Sequence, residues 1–261
     1  MKSQLIASAA AVALFAVAGA AQAQTIGHVG ADYSRVELDA GPLGDADADA
    51  IQLEGAVRFD AGSLGALVDG SVSNFDADGD DATVWSATGH LNTKVGAGLV
   101  GGFAGFSASD DVSLWAVGAE AQYPIAPSTN LYGQIGYGQA DDLGDLDFWA
   151  VRGEVRHFVS DNFKVHAGAG FTEADANGGD FDIWNVGAGA EYQFAGTPWS
   201  LTGAYEHGEI DKVDLKSDTF RIGVRYTFGG SLRDRDNAGA SLGSAANLFG
   251  GGLGRNLVGA F

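Results

Sequence analysis

Apolar and polar residues alternate along most of this chain, and the clearest example spans residues 220–228. Large apolar residues occupy every second position there, from Phe220 to Phe228, and two arginines lie between them. Because successive side chains of a β-strand point to opposite faces, this spacing predicts a strand with one apolar face. That face fits the core side of a soluble sheet, and it fits equally well the lipid side of a membrane barrel.

The alternation recurs about twelve times along the chain, which favours the membrane barrel. Each repeat has about the 9–11 residues, or slightly more, that a tilted strand needs to cross a bilayer. Aromatic residues gather near both ends of the repeats, as expected where rings meet two membrane interfaces. We therefore predict an all-β fold, a transmembrane antiparallel up-and-down β-barrel of about 12 strands. The predicted strands lie near residues 26–37, 50–60, 63–74, 83–94, 96–107, 112–123, 129–139, 147–158, 162–172, 182–194, 198–207 and 217–228.

The N-terminus has the features of a secretion signal. Lys2 supplies a positive charge, a short apolar run ends at Ala20, and the following residues fit a signal-peptidase site. A membrane anchor helix is the alternative, but the run is shorter than the roughly 20 residues that such a helix prefers. We predict a signal peptide at residues 1–23, an outer-membrane barrel at 24–230 and a Gly/Ala-rich periplasmic extension at 231–261.

Acidic residues greatly outnumber basic ones. The chain has 34 Asp and Glu against 14 Lys and Arg, and its formal net charge is −20. Such a surface repels the phosphate backbone and attracts cations, so we expect no nucleic-acid partner. The chain contains no cysteine, so no disulfide framework holds it. The sequence indicates no cofactor and no particular oligomeric state.

The predicted connections differ in length at the two ends of the strands. Tight turns follow most even-numbered strands, and acidic loops, most of them longer, follow the odd-numbered ones. Short periplasmic turns and longer outer loops are typical of exported barrels, and an even strand count then places both termini on the periplasmic side. The acidic loops are predicted at residues 38–49, 74–82, 108–111, 140–146, 173–181 and 208–216.

Charged residues lie on the strand face opposite the large apolar residues. In the strand near 147–158, for example, Trp149 and Val151 alternate with Arg152 and Glu154. If the apolar face meets lipid, the charged face lines a lumen, where its charges must be paired or wetted. Arg35 is an exception, on the apolar face near a loop end. The residues predicted to line the pore are Arg58, Lys94, Glu120, Arg152, Glu154, Arg156, Lys164, Glu191, Arg221 and Arg225.

Residues 221–228 resemble the C-terminal signature strand of Gram-negative outer-membrane β-barrels. Arg221, Gly223, Tyr226 and Phe228 match the polar residue, the glycine, the aromatic residue and the final phenylalanine of that signature. The chain is similar to porin-like outer-membrane proteins from about residue 24 to 230. The resemblance implies an outer-membrane location, contact with outer-membrane lipid and lipopolysaccharide, and recognition of Arg221–Phe228 by the outer-membrane assembly machinery.

The signature strand normally ends such a chain, yet residues 229–261 follow it here. Their Gly, Ala and Ser content favours a flexible periplasmic extension. Two alternatives remain open, a plug inside the lumen and a short periplasmic helix. The apolar residues available to either of them are Leu248, Phe249, Leu253, Leu257 and Phe261.

Candidate metal and catalytic residues are weak. Residues 74–79, from Asn74 through Asp76 and Asp78 to Gly79, resemble the opening of an EF-hand loop, but the twelfth position from Asn74 holds Trp85 in place of glutamate. The weak metal candidates of this run are Asp76, Asp78 and Asp80. A solvated acidic loop is therefore favoured, and divalent cations that bridge lipopolysaccharide phosphates are the alternative. Outer-membrane lipases carry His and Ser two residues apart on a strand, and none of the five histidines has that spacing.

The sequence thus predicts a non-enzymatic, narrow channel for passive diffusion of small hydrophilic solutes or ions, with an acidic mouth. About eight strands fill their own interior and about sixteen leave a channel, so twelve indicate at most a narrow pore. One alternative is a non-conducting structural or surface-interaction barrel. A second and least favoured alternative is an outer-membrane hydrolase that uses His90 or His207.

Overall fold

A computed structural model describes residues 25–77, 80–109, 112–141, 146–176 and 179–254. The predicted signal peptide at residues 1–23 lies outside this part of the chain. The described residues include twelve strands and the short α-helix α1. They are β1 (Ile26–Asp39), β2 (Asp45–Ala61), β3 (Leu64–Ala77), β4 (Asp80–Val95), β5 (Gly98–Ala108), β6 (Ser113–Ala126), β7 (Thr129–Asp141), β8 (Leu146–Ser160), β9 (Phe163–Ala176), β10 (Gly179–Gln193), β11 (Trp199–Ile210), β12 (Leu215–Phe228) and α1 (Leu232–Asn237).

The strands form one closed barrel. Each strand pairs in antiparallel fashion with its neighbours in the chain, and β1 closes the barrel by pairing with β12. At this seam Gly27 lies opposite Phe228 and Ser34 lies opposite Arg221. Closure pairs the main-chain groups that a free sheet edge would expose, which lipid cannot satisfy. The predicted antiparallel up-and-down barrel of twelve strands is confirmed.

The two ends of the barrel are distinguished by their connections. Residues 62–63, 96–97, 127–128 and 161–162 form tight connections at one end, which we call the turn end. Gly62 and Gly96 have φ values of 67° and 62°, which favour glycine at these turns. Residues Thr25 and Phe228 also lie at the turn end, and the opposite end is called the loop end.

At the loop end the strands are longer than predicted. β2 begins at Asp45 and β9 ends at Ala176, inside stretches that the sequence assigned to loops. Main-chain pairing continues there, with Glu37 opposite Asp47 and Asp175 opposite Asp180. The prediction of long loops at these places was wrong, because acidic residues are compatible with strand pairing once the strand has passed the apolar belt into water.

The outer face of the barrel is apolar across its middle. Ile51, Leu91 and Ile135 are 63%, 64% and 55% exposed, which is consistent with lipid as their surroundings. Aromatic rings contact one another near both ends. The ring pairs are Trp149 with Phe171 and Trp115 with Tyr137 toward the loop end, and Trp199 with Tyr226 and Phe163 with Tyr192 toward the turn end. This is the two-belt arrangement predicted from the sequence.

Arg35 lies on the outer face close to the loop end, as the sequence indicated. Its guanidinium binds Asp47 at 2.5 Å and lies 3.7 Å from Asp49. The Arg35 side chain is 44% exposed. The arginine is therefore a rim residue whose charge is hydrated and paired beyond the apolar belt.

Residues 231–254, which we call the C-terminal segment, turn back into the lumen. The Ser231 hydroxyl accepts a hydrogen bond from the Asp234 N–H, and the Asp234 carboxylate accepts one from the Ser231 N–H, so a capping box begins α1. A 3-10 turn spans Ala245–Asn247, and residues 251–254 are again helical. None of the helices among the described residues is long and apolar enough to cross a membrane.

The predicted periplasmic extension at 231–261 needs correction for its described part. Leu248, Phe249 and Leu253 are at most 3% exposed and pack against inward-facing side chains of the barrel. The segment lies inside because the lumen offers partners both for its apolar side chains and for its main-chain polar groups. Leu257 and Phe261, which were predicted to join these contacts, lie outside the described residues.

Candidate functional site

An ion-pair network lies on the inner wall of β12, β2, β10 and β9. The Arg225 guanidinium lies 2.6 Å from Glu54 and 3.1 Å from Glu191, and Lys164 lies 3.5 Å from Glu191. Arg225 reaches Glu54 across β1, where Gly30 stands between them. A Cβ atom at Gly30 would lie 2.8 Å from the Arg225 side chain, so glycine is needed for this contact.

A second network lies on the wall of β8. Glu154 accepts a hydrogen bond from Arg156 at 2.6 Å and lies 3.4 Å from Arg152. The Arg156 guanidinium also lies over the Tyr132 ring, 4.6 Å from its centroid, and donates to Gln122. These contacts offset the cost of burying the Arg156 charge, whose side chain is 3% exposed.

His90 joins two inward-facing carboxylates. Its Nδ1 lies 2.9 Å from Glu120 and its Nε2 lies 2.9 Å from Asp69. The Tyr132 hydroxyl donates a second hydrogen bond to Glu120. Because both ring nitrogens bind carboxylates, His90 has no free nitrogen to take a proton from a nucleophile in this arrangement.

The remaining predicted lumen residues occupy the wall differently. Arg221 lies 3.1 Å from Asp32. Arg58 is buried near the turn end, where it donates to Asn92 and to Asp60. Lys94 is exposed at the turn end of β4, one residue before the strand ends. The structure thus brings the predicted residues other than Lys94 to the buried or half-buried inner wall.

The predicted acidic metal site is only partly described. Asp76 is exposed near the loop end of β3, whereas Asp78 and the side chain of Asp80 lie outside the described residues. Among the residues whose placement is described, no group of three or more His, Cys, Asp or Glu is arranged to hold a metal ion. Metal binding by this run stays a prediction.

The C-terminal segment is attached to the wall at the turn end. Asn130 donates to one carboxylate oxygen of Asp236 at 2.7 Å, and Arg156 donates to the other at 3.0 Å. Gln122 donates to the main-chain carbonyl of Asp236 at 2.7 Å. Asp236 is completely buried, so these hydrogen bonds offset the loss of water around its charge.

Toward the loop end the segment closes the lumen with apolar side chains. Leu248, Phe249 and Leu253 belong to one buried cluster with inward-facing residues of the strands, and the Phe249 ring packs against the Phe148 ring at a tilt, with ring centroids 5.0 Å apart. The strand residues of this cluster include Phe103, Leu114, Phe148, Ile183 and Ile210. The segment therefore runs through the lumen from the turn end to the loop end.

A polar cavity of about 110 Å³ remains beside the segment. It is lined by Arg152, Glu154, His166 and Arg221 of the wall and by Asn247 of the segment, among others. Its volume suits a few water molecules. The lumen thus has a charged part that is still partly open and an apolar part that is filled.

The sequence did contain a signal for the apolar part of the lumen. Phe148, Trp149, Ala150 and Val151 form an uninterrupted apolar run, in which Trp149 and Val151 face outward. A strand that is apolar on both faces must be buried on both faces. The run therefore indicated an apolar filling inside the barrel, although it did not identify the C-terminal segment as that filling.

Solved structures with a similar fold include a channel, a translocator domain and a porin. An outer membrane channel from Pseudomonas putida F1 has a TM-score of 0.59 at 11% identity, covering 78% of this chain and 95% of that one. The translocator domain of autotransporter NalP from Neisseria meningitidis has a TM-score of 0.57 at 12% identity, covering 87% and 98%. The KdgM porin, in complex with disordered oligogalacturonate, has a TM-score of 0.51 at 11% identity, covering 76% and 99%.

At these identities the structural similarity shows the fold alone. No curated protein sequence matches the chain. A family model described as the outer membrane protein beta-barrel domain matches residues 7–228, which is most of the chain. This protein therefore belongs to the outer membrane protein β-barrel family.

Proposed function

We propose that this protein is a porin-like, non-enzymatic channel for small hydrophilic solutes or ions, and that its own C-terminal segment closes it. The observation that carries the proposal is the path of that segment through the lumen, from Asp236 at the turn end to Leu253 at the loop end. The strands alone enclose a passage wide enough for a polypeptide main chain. Once the segment leaves, this passage is a narrow pore that water fills.

The charges of the wall support a wet passage. The Arg225–Glu191 pair and the Arg156–Glu154 pair lie on different parts of the wall, and opposing charges of this kind select small polar solutes. Acidic residues at the loop end, such as the exposed Asp76 and Asp175, enrich cations at the mouth. Passive diffusion needs only these elements, and the His90 arrangement supplies no catalytic base.

A non-conducting structural barrel is the second candidate. The observation in its favour is the cluster around Phe249, whose buried residues are at most 5% exposed and fill the loop end. On this alternative the segment is a permanent filling that stabilises the barrel. The two candidates differ in one measurable property, which is whether the segment ever leaves the lumen.

Membrane orientation and partners belong to the same proposal. The turn end faces the periplasm, after removal of a signal peptide at residues 1–23, and the acidic loop end faces outward, next to lipopolysaccharide and its divalent cations. Residues Arg221–Phe228, which form most of β12, are the segment that the assembly machinery recognises.

A disulfide lock tests the channel. The hydroxyls of Thr88 in β4 and Ser244 in the segment are 3.0 Å apart, and the chain has no cysteine of its own. The double variant Thr88→Cys/Ser244→Cys can therefore form one defined disulfide that holds the segment inside. A second double variant, Leu248→Asp/Phe249→Asp, places two charges in the apolar cluster and should expel the segment.

Conductance in planar bilayers is the measurement. A quadruple variant combines the four substitutions of these two double variants. We expect frequent channel openings from Leu248→Asp/Phe249→Asp, rare ones from the native protein, and none from the quadruple variant while its disulfide is oxidised. Reduction should restore the openings of the quadruple variant. Silence of a folded Leu248→Asp/Phe249→Asp barrel at all voltages would show that the protein is not a channel and would favour the structural alternative.

A further inference from the structure

The main chain of the C-terminal segment is bound by side chains of the wall, and its path crosses the strands without joining the sheet. A buried main-chain amide or carbonyl without a partner is costly, so each needs a hydrogen bond. Near the turn end, Gln122 donates to the carbonyl of Asp236, and Arg58 donates to the carbonyl of Gly239 at 3.5 Å.

The middle of the lumen binds both polar groups of one residue. Gln134 donates to the Gly243 carbonyl at 2.6 Å, and the Gly243 N–H donates to the Tyr132 hydroxyl at 2.9 Å. Two positions further, the Ala245 N–H donates to the Thr88 hydroxyl at 3.0 Å. These three wall side chains therefore contact main-chain atoms that every peptide possesses.

Near the loop end, side chains of the wall again bind main-chain groups of the segment. The Thr172 hydroxyl donates to the Leu248 carbonyl and accepts from the Gly250 N–H, both at 3.2 Å. The Gly252 N–H donates to the Glu206 carboxylate. Hydrogen bonds to the main chain thus continue from the turn end to the loop end.

The wall also limits the size of the side chains that it admits. A Cβ atom on Gly243 would lie 2.9 Å from the Gln134 side chain and 3.2 Å from the Tyr132 ring. Gly250 and Gly251 have φ values of 58° and 60°, which larger residues rarely adopt. The positions next to the wall therefore favour glycine.

Two side-chain sites give the passage a direction and a register. The carboxylate site at the turn end consists of Asn130 and Arg156, which bind Asp236. The apolar site at the loop end takes Leu248 and Phe249. Twelve positions separate the charged residue from the first apolar residue.

We propose that the inner wall is a binding site for a glycine-rich polypeptide with short helical turns, one carboxylate and, about twelve residues later, an apolar pair. The C-terminal segment occupies this site in cis, and a peptide of another chain occupies it when the segment is out. The inference rests on the proposed function in one respect, because both require that the segment can leave. A tethered occupant acts at an effective concentration on the order of millimolar, so it excludes competing peptides while it is seated.

The experiment uses the full chain and a defined probe. A fluorescent synthetic peptide with the sequence of residues 231–254 is titrated with Leu248→Asp/Phe249→Asp protein in detergent, and its anisotropy is measured. We expect saturable binding, and binding at least tenfold weaker to the oxidised Thr88→Cys/Ser244→Cys protein, whose site is occupied. Folding of each protein is checked by its heat-dependent electrophoretic mobility. If the Leu248→Asp/Phe249→Asp protein does not fold, a Gly243→Val protein takes its place in the titration.

Matched peptides test the chemistry of the site. A Gly243→Val peptide should bind at least tenfold more weakly because its side chain meets Gln134 and Tyr132. An Asp236→Lys peptide should lose a similar amount of affinity because its ammonium group would face the Arg156 guanidinium. Equal binding of a scrambled peptide, or no binding to a folded and conducting barrel, would overturn the peptide site and leave the channel intact. Specific binding to a folded barrel that never conducts would support the peptide site and refute the channel.

Discussion

Arg156 of β8 and Asp236 of the C-terminal segment form a buried ion pair, with Arg156 Nη1 3.0 Å from Asp236 Oδ1. Their side chains are 3% and 1% exposed. This pair joins the wall of the barrel to a segment that follows the last strand. The closed state of the lumen at the turn end therefore depends on a small number of buried polar contacts.

Removal of the Asp236 carboxylate should loosen the segment. Asp236→Ala leaves Arg156 with Glu154 as its acid and leaves Asn130 without its carboxylate partner, so we expect a loss of up to about 3–5 kcal/mol in the seating of the segment. Faster amide hydrogen exchange at residues 232–243 and more frequent channel openings would report it. Arg233→Ala is the control, because its pair with Asp161 is exposed and contributes about 1 kcal/mol or less. Equal effects of the two variants would contradict the role of Asp236.

Truncation of Phe249 should open the loop end alone. Phe249→Ala removes a ring packed against Phe148, and a change of this kind typically costs about 3–5 kcal/mol. Because the ring belongs to the segment and not to a strand, exchange should accelerate at residues 245–254 while the strands keep their protection. For the milder Phe249→Leu, the amide exchange rates should lie between those of the native protein and those of Phe249→Ala. A uniform loss of protection in all strands would show that the cluster stabilises the whole barrel.

A charge on the outer face should destabilise the barrel according to its depth. Ile135 lies opposite Ala119, which is four residues from Trp115 and four from Tyr123, so it is midway between the aromatic belts. We expect Ile135→Arg to cost about 2–4 kcal/mol of unfolding free energy in lipid vesicles. Val159→Arg, near the turn end of β8, should cost about 0–1 kcal/mol. If both cost the same, the midplane has been placed wrongly.

Loss of His90 should destabilise the wall through the carboxylates that it separates. His90→Ala takes a hydrogen-bond partner from both Asp69 and Glu120, and one unsatisfied buried group costs about 1–3 kcal/mol. The loss should be smaller in a Glu120→Gln background, because one of the two facing negative charges is then absent. Urea unfolding in vesicles of His90→Ala, Glu120→Gln and the double variant gives the coupling free energy between the two residues. An identical loss in both backgrounds would mean that His90 acts only by packing.

The strands could be predicted from the sequence because alternation is a local property. Whether Val224 or Arg225 meets lipid follows from the two-residue period of a strand and from the chemistry of the bilayer. The same reasoning placed the aromatic belts and the exceptional position of Arg35. The ends of the strands were predicted less well, since acidic residues beyond the belt neither require nor prevent pairing.

The pairing of the lumen charges could not be predicted from the local sequence pattern. Arg225 binds Glu54, which is 171 positions away in the chain, and it does so only because closure of the barrel places Gly30 between them. Which charges meet is decided by the register and the curvature of the whole barrel.

The sequence by itself determined that this protein is a membrane barrel with an apolar outer face and a charged inner one. Only the tertiary structure decided what fills the lumen. The C-terminal segment carries no strand pattern, and its contacts join residues such as Gly243 and Gln134, which are 109 positions apart. Its main-chain groups and apolar side chains find their partners only in the closed barrel, because no single strand presents a polar wall and an apolar pocket at the required spacing.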